Sequence, residues 1–216
     1  MNCDRLARWY RALEYAGFGR ALERRREFFL GRMSTARRVL VLGDGDGRFL
    51  ASFLRVNRSA EVDSVDASAA MLTLARRRIG EADLARLRFH HSDARRWQPP
   101  PVSYDLIVTH FFLDCFPDAE LRPLVARLAA FTTPGARWIV SEFRQPADGL
   151  AAWRARAWIA GLYAFFRITT GLRARRLPDH TAALEAAGFR LERETLARGG
   201  LLASQLWQRE QDGFPV

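Results

Sequence analysis

Gly43, Gly45 and Gly47 alternate with Asp44 and Asp46 directly after an apolar run, residues 39–42, and directly before Arg48, Phe49 and Leu50. Glycines at that spacing let the chain turn tightly and let a ligand approach the backbone closely. A helix opening at Arg48 would point its free N–H groups back at the same turn. Further on, a second strand-like run, residues 62–65, ends in Asp66, with a helix expected from Ser68. A carboxylate at that place can accept hydrogen bonds from the two ribose hydroxyls of a nucleoside.

Two more strand-like runs carry polar residues at their carboxyl ends. Residues 87–91 lead into Ser92, Asp93 and Ala94, and residues 104–109 end at Thr109 and run into His110, Phe111, Phe112, Leu113 and Asp114. Open parallel sheets bind ligands at that edge. The four apolar residues of the first run fit a strand covered on both faces.

This order of elements resembles the class I S-adenosylmethionine-dependent methyltransferases, from about Arg37 to the last residue. Residues 39–47 are similar to the family's first motif, Asp66 to its ribose-binding acid and Asp93 to the acid that meets the adenine amino group. Residues 104–108 resemble the fourth strand, beside the transferable methyl. Thr133-Pro-Gly-Ala136 before residues 137–142 resembles the turn and fifth strand. Ala187-Gly-Phe189 followed by runs at 190–196 and 201–207 resembles the antiparallel pair that closes the fold. The resemblance implies a doubly wound α/β fold, a mostly parallel seven-stranded sheet with a C-terminal antiparallel strand pair. It implies S-adenosylmethionine as cofactor, held by Gly43, Asp44, Gly45, Gly47, Asp66, Ala67, Asp93, Ala94 and Thr109.

One departure stands out. Where the family carries an acid two positions before the first glycine, this chain has Val41. Asp44 and Asp46 could supply that charge from within the turn. The other reading is that both are turn and cap residues, since aspartate bonds its own backbone and caps helices.

Methyl transfer from a sulfonium needs an in-line nucleophile and little water. A base is needed only where the acceptor must lose a proton. His110, just past the fourth strand, is the expected catalytic residue, with Asp114 and Glu142 behind it. The Asn/Asp-Pro-Pro-Tyr motif of amino-methylating nucleic-acid enzymes is missing there, and no cysteine pair suggests a cysteine-mediated RNA mechanism. The expected acceptor is therefore a small, apolar or lipid-like molecule. The alternatives are a nucleic-acid methyltransferase and a cofactor-binding partner subunit without activity. Short words such as Phe165-Phe-Arg167 and Leu177-Pro-Asp-His180 resemble the quinone- and phospholipid-modifying branch.

The chain has 216 residues, 49% of them hydrophobic, enough for a full core. All 34 basic residues are arginines, and the net charge is +10. The arginines fall in twos and threes, as at residues 24–26, 76–78 and 173–176, which reads as solvated helix faces rather than a nucleic-acid patch. No run of about 18 apolar residues suggests a membrane span. The charged first eleven residues suggest no secretion signal, and Cys3 and Cys115 give neither a disulfide framework nor metal spacing. A cytoplasmic protein, peripheral to a membrane at most, is expected. Residues 1–36 read as a helical segment over the active site. Residues 37–216 read as the methyltransferase domain, with an aromatic helical insertion at 150–177 that could form a lid or lie on a bilayer.

Overall fold

Val39, Leu40, Val41 and Leu42 are at most 1% exposed, because the strand they build is covered on both faces. The computed structural model describes residues 18–145, 161 and 176–210. Seven strands, β1 (Arg38–Leu42), β2 (Glu61–Asp66), β3 (Leu87–His91), β4 (Tyr104–His110), β5 (Thr132–Phe143), β6 (Phe189–Ala197) and β7 (Leu202–Arg209), make one sheet in the order β3-β2-β1-β4-β5-β7-β6. The first five are parallel, and β7 runs antiparallel to both β5 and β6. Strand order reverses between β1 and β4, so a crevice opens at their carboxyl ends.

The helices are α1 (Ala21–Arg26), α2 (Arg48–Val56), α3 (Ala69–Arg78), α4 (Glu81–Leu84), α5 (Asp118–Ala129) and α6 (His180–Ala186). One core joins Leu40, Ile107, Trp138 and Trp207 to Leu124 and Leu128 of α5 and Leu184 of α6. The other joins Val39, Val41 and Val108 to Phe49, Leu50 and Phe53 of α2. This is the doubly wound arrangement expected from the sequence. β5 starts earlier than the turn-then-strand reading allowed. Tyr104 pairs with Thr132 and Leu106 with Arg137, so Thr133-Pro-Gly-Ala136 loops out within the strand. Gly135 has φ +73° and Pro134 needs no ladder partner there.

The helical segment expected over the active site up to Gly17, and nearly all of the insertion at 150–177, including Trp158, Tyr163 and Phe166, lie outside the described residues. Among the described residues no helix is long and apolar enough to cross a membrane.

On the α5 face a buried acid interrupts the apolar core. Asp63 is fully buried and accepts from Arg88 Nε and Nη2, from His90 Nε2 at 2.7 Å and from Tyr104 Oη at 3.0 Å. Burial alone would push this carboxyl up, but the bonds from Arg88, His90 and Tyr104 outweigh it and hold it below the usual carboxylate range. A depressed folded-state pKa stabilises above the unfolded value and is lost as pH falls through the acid range. Asp63→Ala should cost about 2 kcal/mol, short of the roughly 3–5 kcal/mol for breaking a fully buried pair, because Arg88 can turn to water. Urea unfolding at neutral and acid pH checks this, and the variant should lose less stability on acidification than the parent.

Candidate active site

The turn after β1 takes its shape from left-handed backbone. Gly43 and Gly47 have φ +69° and +80°. A Cβ at Gly43 would sit 2.3 Å from the Phe112 ring, and one at Gly47 2.6 Å from the Ala75 Cα of α3. Only glycine lets α2 start this close to its neighbour. Gly43 N–H donates to the Val65 carbonyl at 2.9 Å, and Gly45 N–H to Asp66 Oδ2 at 3.3 Å. Asp66 Oδ1 accepts from Ser68 N–H at 2.8 Å. Asp66 thus ties the glycine turn to the end of β2, and a carboxylate oxygen taking one N–H can still accept a hydroxyl. Ala67 follows it, with its carbonyl 3.2 Å from His91 Nε2.

The two aspartates within the turn behave differently. Asp46 bonds Arg48 Nε and Arg78 Nη2, both at 2.9 Å, and so clamps the start of α2 to the end of α3. Asp44 accepts from Leu50 N–H with Oδ2 at 3.1 Å, while its Oδ1 is buried without a hydrogen-bond partner. Loss of water pushes the Asp44 carboxyl up to about 7, against the pull of Leu50 N–H and of the nearby Arg26 charge.

At the third strand, Asp93 is gripped by Arg95, through its backbone N–H at 2.9 Å and its guanidinium, and Arg95 in turn reaches Glu120 at 2.9 Å. The Arg95 side chain holds the Asp93 carboxyl down to about 2. Ala94 beside it is buried, its carbonyl bonded by Arg127. Thr109 pairs in register with Leu42, and its hydroxyl accepts from Trp138 Nε1 at 3.0 Å within the core.

His110 is 5% exposed, with its ring edge-on to Phe49 at 4.6 Å and neither ring nitrogen hydrogen-bonded. Burial, reinforced by the Arg26 charge, lowers its pKa well below the usual histidine value, so the ring is neutral at pH 7. Phe111 then takes a left-handed φ of +53°, an uncommon state for a bulky residue. Glu142 Oε1 fixes this strained corner by accepting from Phe112 N–H at 3.0 Å and Leu113 N–H at 2.8 Å. Glu142 Oε2 is buried without a hydrogen-bond partner. Burial pushes both Glu142 and the neighbouring Asp114 up, and the charge of Asp114 adds to the effect on Glu142.

A methyltransferase-domain family model matches residues 39–135. Over those residues the chain is similar to a methyltransferase domain. Over 114 residues it is 33% identical to a demethylmenaquinone methyltransferase of Deinococcus radiodurans, covering 53% of this chain and 46% of that protein. Over 102 residues it is 39% identical to a trans-aconitate 2-methyltransferase of Variovorax paradoxus, covering 46% of this chain and 36% of that one. The chain therefore spans less than half the length of these two curated relatives in alignment. An O-methyltransferase family protein from Burkholderia thailandensis superposes with a TM-score of 0.65 at 20% identity, covering 97% of this chain and 59% of that one. The N-methyltransferase NodS of Bradyrhizobium japonicum WM9, solved with S-adenosyl-L-homocysteine, gives 0.63 at 14% identity and 88% coverage of both chains. At these identities the likeness to the solved structures is one of fold.

The cofactor of such a methyltransferase domain, S-adenosylmethionine, fits the residues at this edge. The glycine turn admits a ligand against the backbone, Asp66 stands at the end of β2, and Asp44 Oδ1 is a buried acceptor in want of a donor. With Val41 1% exposed within β1, no acid is placed there. Arg26, read from sequence as part of a solvated run, is a residue that reasoning missed. It is 8% exposed, lies over the Phe111 ring at 5.2 Å, and its charge acts on both Asp44 and His110. The signal was present: Phe18, Leu22, Arg26 and Phe29 are buried at helical spacing. Two serine hydroxyls, of Ser141 and Ser204, lie 3.0 Å from the Arg25 carbonyl and dock this segment on β5 and β7.

Asp66→Ala should leave the methyltransferase domain folded and weaken S-adenosylhomocysteine binding by about tenfold to a hundredfold, from lost charge-assisted bonds and a loosened turn. Calorimetric titration measures it.

Proposed function

We propose that this chain transfers a methyl group from S-adenosylmethionine to a small, apolar acceptor. The observation that carries the reading is the set of buried polar atoms without protein partners. Apart from Arg38 Nη1, which lies 2.5 Å from Glu61, the unpartnered buried side-chain atoms among the described residues are Asp44 Oδ1, both His110 nitrogens and Glu142 Oε2. They belong to the carboxyl ends of β1, β4 and β5, where a cofactor and an acceptor would meet.

Two of these groups, Asp44 and His110, have a use there. Asp44 would take the cofactor's ammonium and Arg26 its carboxylate, while Asp66 would hold the ribose hydroxyls. Ala67, Asp93 and Ala94 would line the adenine, with the Asp93 carboxylate shared between Arg95 and the adenine amine. S-Adenosylmethionine supplies an activated methyl, so the protein's part is to align the nucleophile and keep water out. His110, neutral and unpartnered, would accept a proton where the acceptor must lose one.

The likeness to a demethylmenaquinone methyltransferase supports an apolar, quinone-like acceptor. Several arginines are already engaged inside the fold: Arg78 with Asp46, Arg86 with the Leu54 and Ala60 carbonyls, and Arg209 with Ala129 and Thr132. That supports a small acceptor over a nucleic acid. The reading also includes a peripheral membrane encounter as the source of a lipid-like acceptor.

A ligand bound only by the folded state adds about 2.7 kcal/mol at a hundredfold excess over its dissociation constant. For a domain of this size, S-adenosylhomocysteine should raise the melting temperature by roughly 5–10 °C, whereas NAD and NADP should not. The reverse pattern would overturn the reading. His110→Ala should lower turnover by about a hundredfold or more with cofactor affinity nearly intact. Loss of cofactor affinity instead would assign His110 to holding the cofactor.

A further inference from the structure

Ser141 and Ser204 are 0% exposed, Ser141 two residues after Ile139 and Ser204 two before Leu206 in the apolar layer against α2. Register puts the two serines directly opposite each other on β5 and β7, with Thr195 beyond Ser204 on β6 and His110 beyond Ser141 on β4. Registered neighbours share a face of the sheet. One polar rung of His110, Ser141, Ser204 and Thr195 therefore crosses four strands at the carboxyl end of β4.

A buried hydroxyl needs a partner, and both serines find the same one. Each Oγ lies 3.0 Å from the Arg25 carbonyl, whose two lone pairs can take both protons. That carbonyl belongs to the last turn of α1, where backbone acceptors run out of helical donors, and Phe28 N–H reaches it only at 3.3 Å. Thr195 Oγ1 accepts from Arg25 Nη1 at 3.2 Å and draws that side chain toward β6. The planar peptide between residues 25 and 26 passes the constraint on. Arg26 lies over the Phe111 ring, where its charge acts on Asp44 and on His110, the fourth member of the rung. The other end of this segment is held separately, by Phe18 and Leu22 packed with Phe143 and Leu202 and by Arg198 Nη2 donating to the Phe18 carbonyl at 3.0 Å.

Taking the methyltransferase reading as given, we infer that Ser141 and Ser204 are positioning residues, which set the Arg26 guanidinium for the carboxylate of the cofactor's amino-acid tail. They act through the Arg25 carbonyl, without touching the cofactor. An arginine whose stem is already fixed loses less rotamer freedom when it meets a carboxylate, so its bond is worth more. A pair of serines that only stabilised the sheet would weaken every ligand alike, whereas a positioning pair weakens only a ligand that carries the tail.

The test measures calorimetric affinities of the full chain for S-adenosylhomocysteine and for 5′-methylthioadenosine, which lacks the amino-acid tail. The double substitution Ser141→Ala with Ser204→Ala should weaken S-adenosylhomocysteine by about tenfold and leave 5′-methylthioadenosine nearly unchanged. Arg26→Gln should show the same selectivity, and adding the two serine substitutions to it should weaken binding no further, because they act through that arginine. Ser204→Ala alone, which leaves Ser141 on the carbonyl, should give a smaller loss of the same kind and serves if the double variant does not fold. Unchanged S-adenosylhomocysteine affinity in the serine variants, an equal loss for both ligands, or a loss that adds to that of Arg26→Gln would each overturn the proposal. Arg26→Gln that binds S-adenosylhomocysteine like the parent would overturn it too, with the methyltransferase reading intact. Wild-type protein that binds neither ligand would overturn that reading and the proposal with it.

Discussion

A carboxylate sealed from water with half its hydrogen bonds unmade sets the terms for this structure. Asp44 uses Oδ2 to cap α2 and leaves Oδ1 buried and unmatched. A polar group left in that state costs about 1–3 kcal/mol, and native proteins keep few of them. Among the described residues, Arg38 Nη1 apart, they collect at one edge of the sheet rather than scattering through the core. The two apolar layers, built around Trp138 and Trp207 on one face and Phe49 and Phe53 on the other, supply the stability that such a concentration requires.

The rest of the edge is organised to keep those groups in place. Asp66 joins β2 to the glycine turn, Asp46 pins α2 to α3, and Glu142 holds the strained corner at Phe111. Asp66 and Asp46 are carboxylates accepting from backbone N–H groups or arginine, interactions stronger than those between neutral groups. Arg26 arrives from a different segment, which the serines of β5 and β7 fasten by the Arg25 carbonyl. Residues far apart in the chain thereby converge on a space of a few side chains, and preorganisation of that kind is what alignment of a nucleophile with a methyl group needs.

Much of this was legible before the structure. The glycine turn and the buried strand declare themselves because left-handed backbone requires glycine and two-sided burial requires an unbroken apolar run. The closing strand pair was visible for a similar reason, though β6 runs one residue beyond each expected end, and β7 starts one residue later and ends two residues beyond. What sequence reading missed are matters of pairing. Asp93 and Arg95 sit two apart, yet nothing in their spacing says that the arginine folds back on the acid. Thr109 looks like any strand-end hydroxyl until Trp138 is found against it. Arg26 was hidden by its neighbours in a run of arginines, although its helical phase matched Leu22. Asp44 was read both as a cap and as a cofactor contact. The structure gives one oxygen to the cap and leaves the other to be matched.

The central claim is that Asp44 faces the amino-acid end of the cofactor, and its raised pKa gives that claim a direct signature. The ionised carboxylate is the form that pairs with an ammonium, so affinity should be full above about pH 7 and fall by up to about tenfold per pH unit below it. The decisive measurement is the calorimetric affinity of S-adenosylhomocysteine across this range, beside 5′-methylthioadenosine, which has the adenosine and no amino-acid tail. The account predicts that only S-adenosylhomocysteine weakens as pH falls, and that Asp44→Asn removes the dependence. Equal pH profiles for the two ligands, or a profile unchanged in Asp44→Asn, would contradict it.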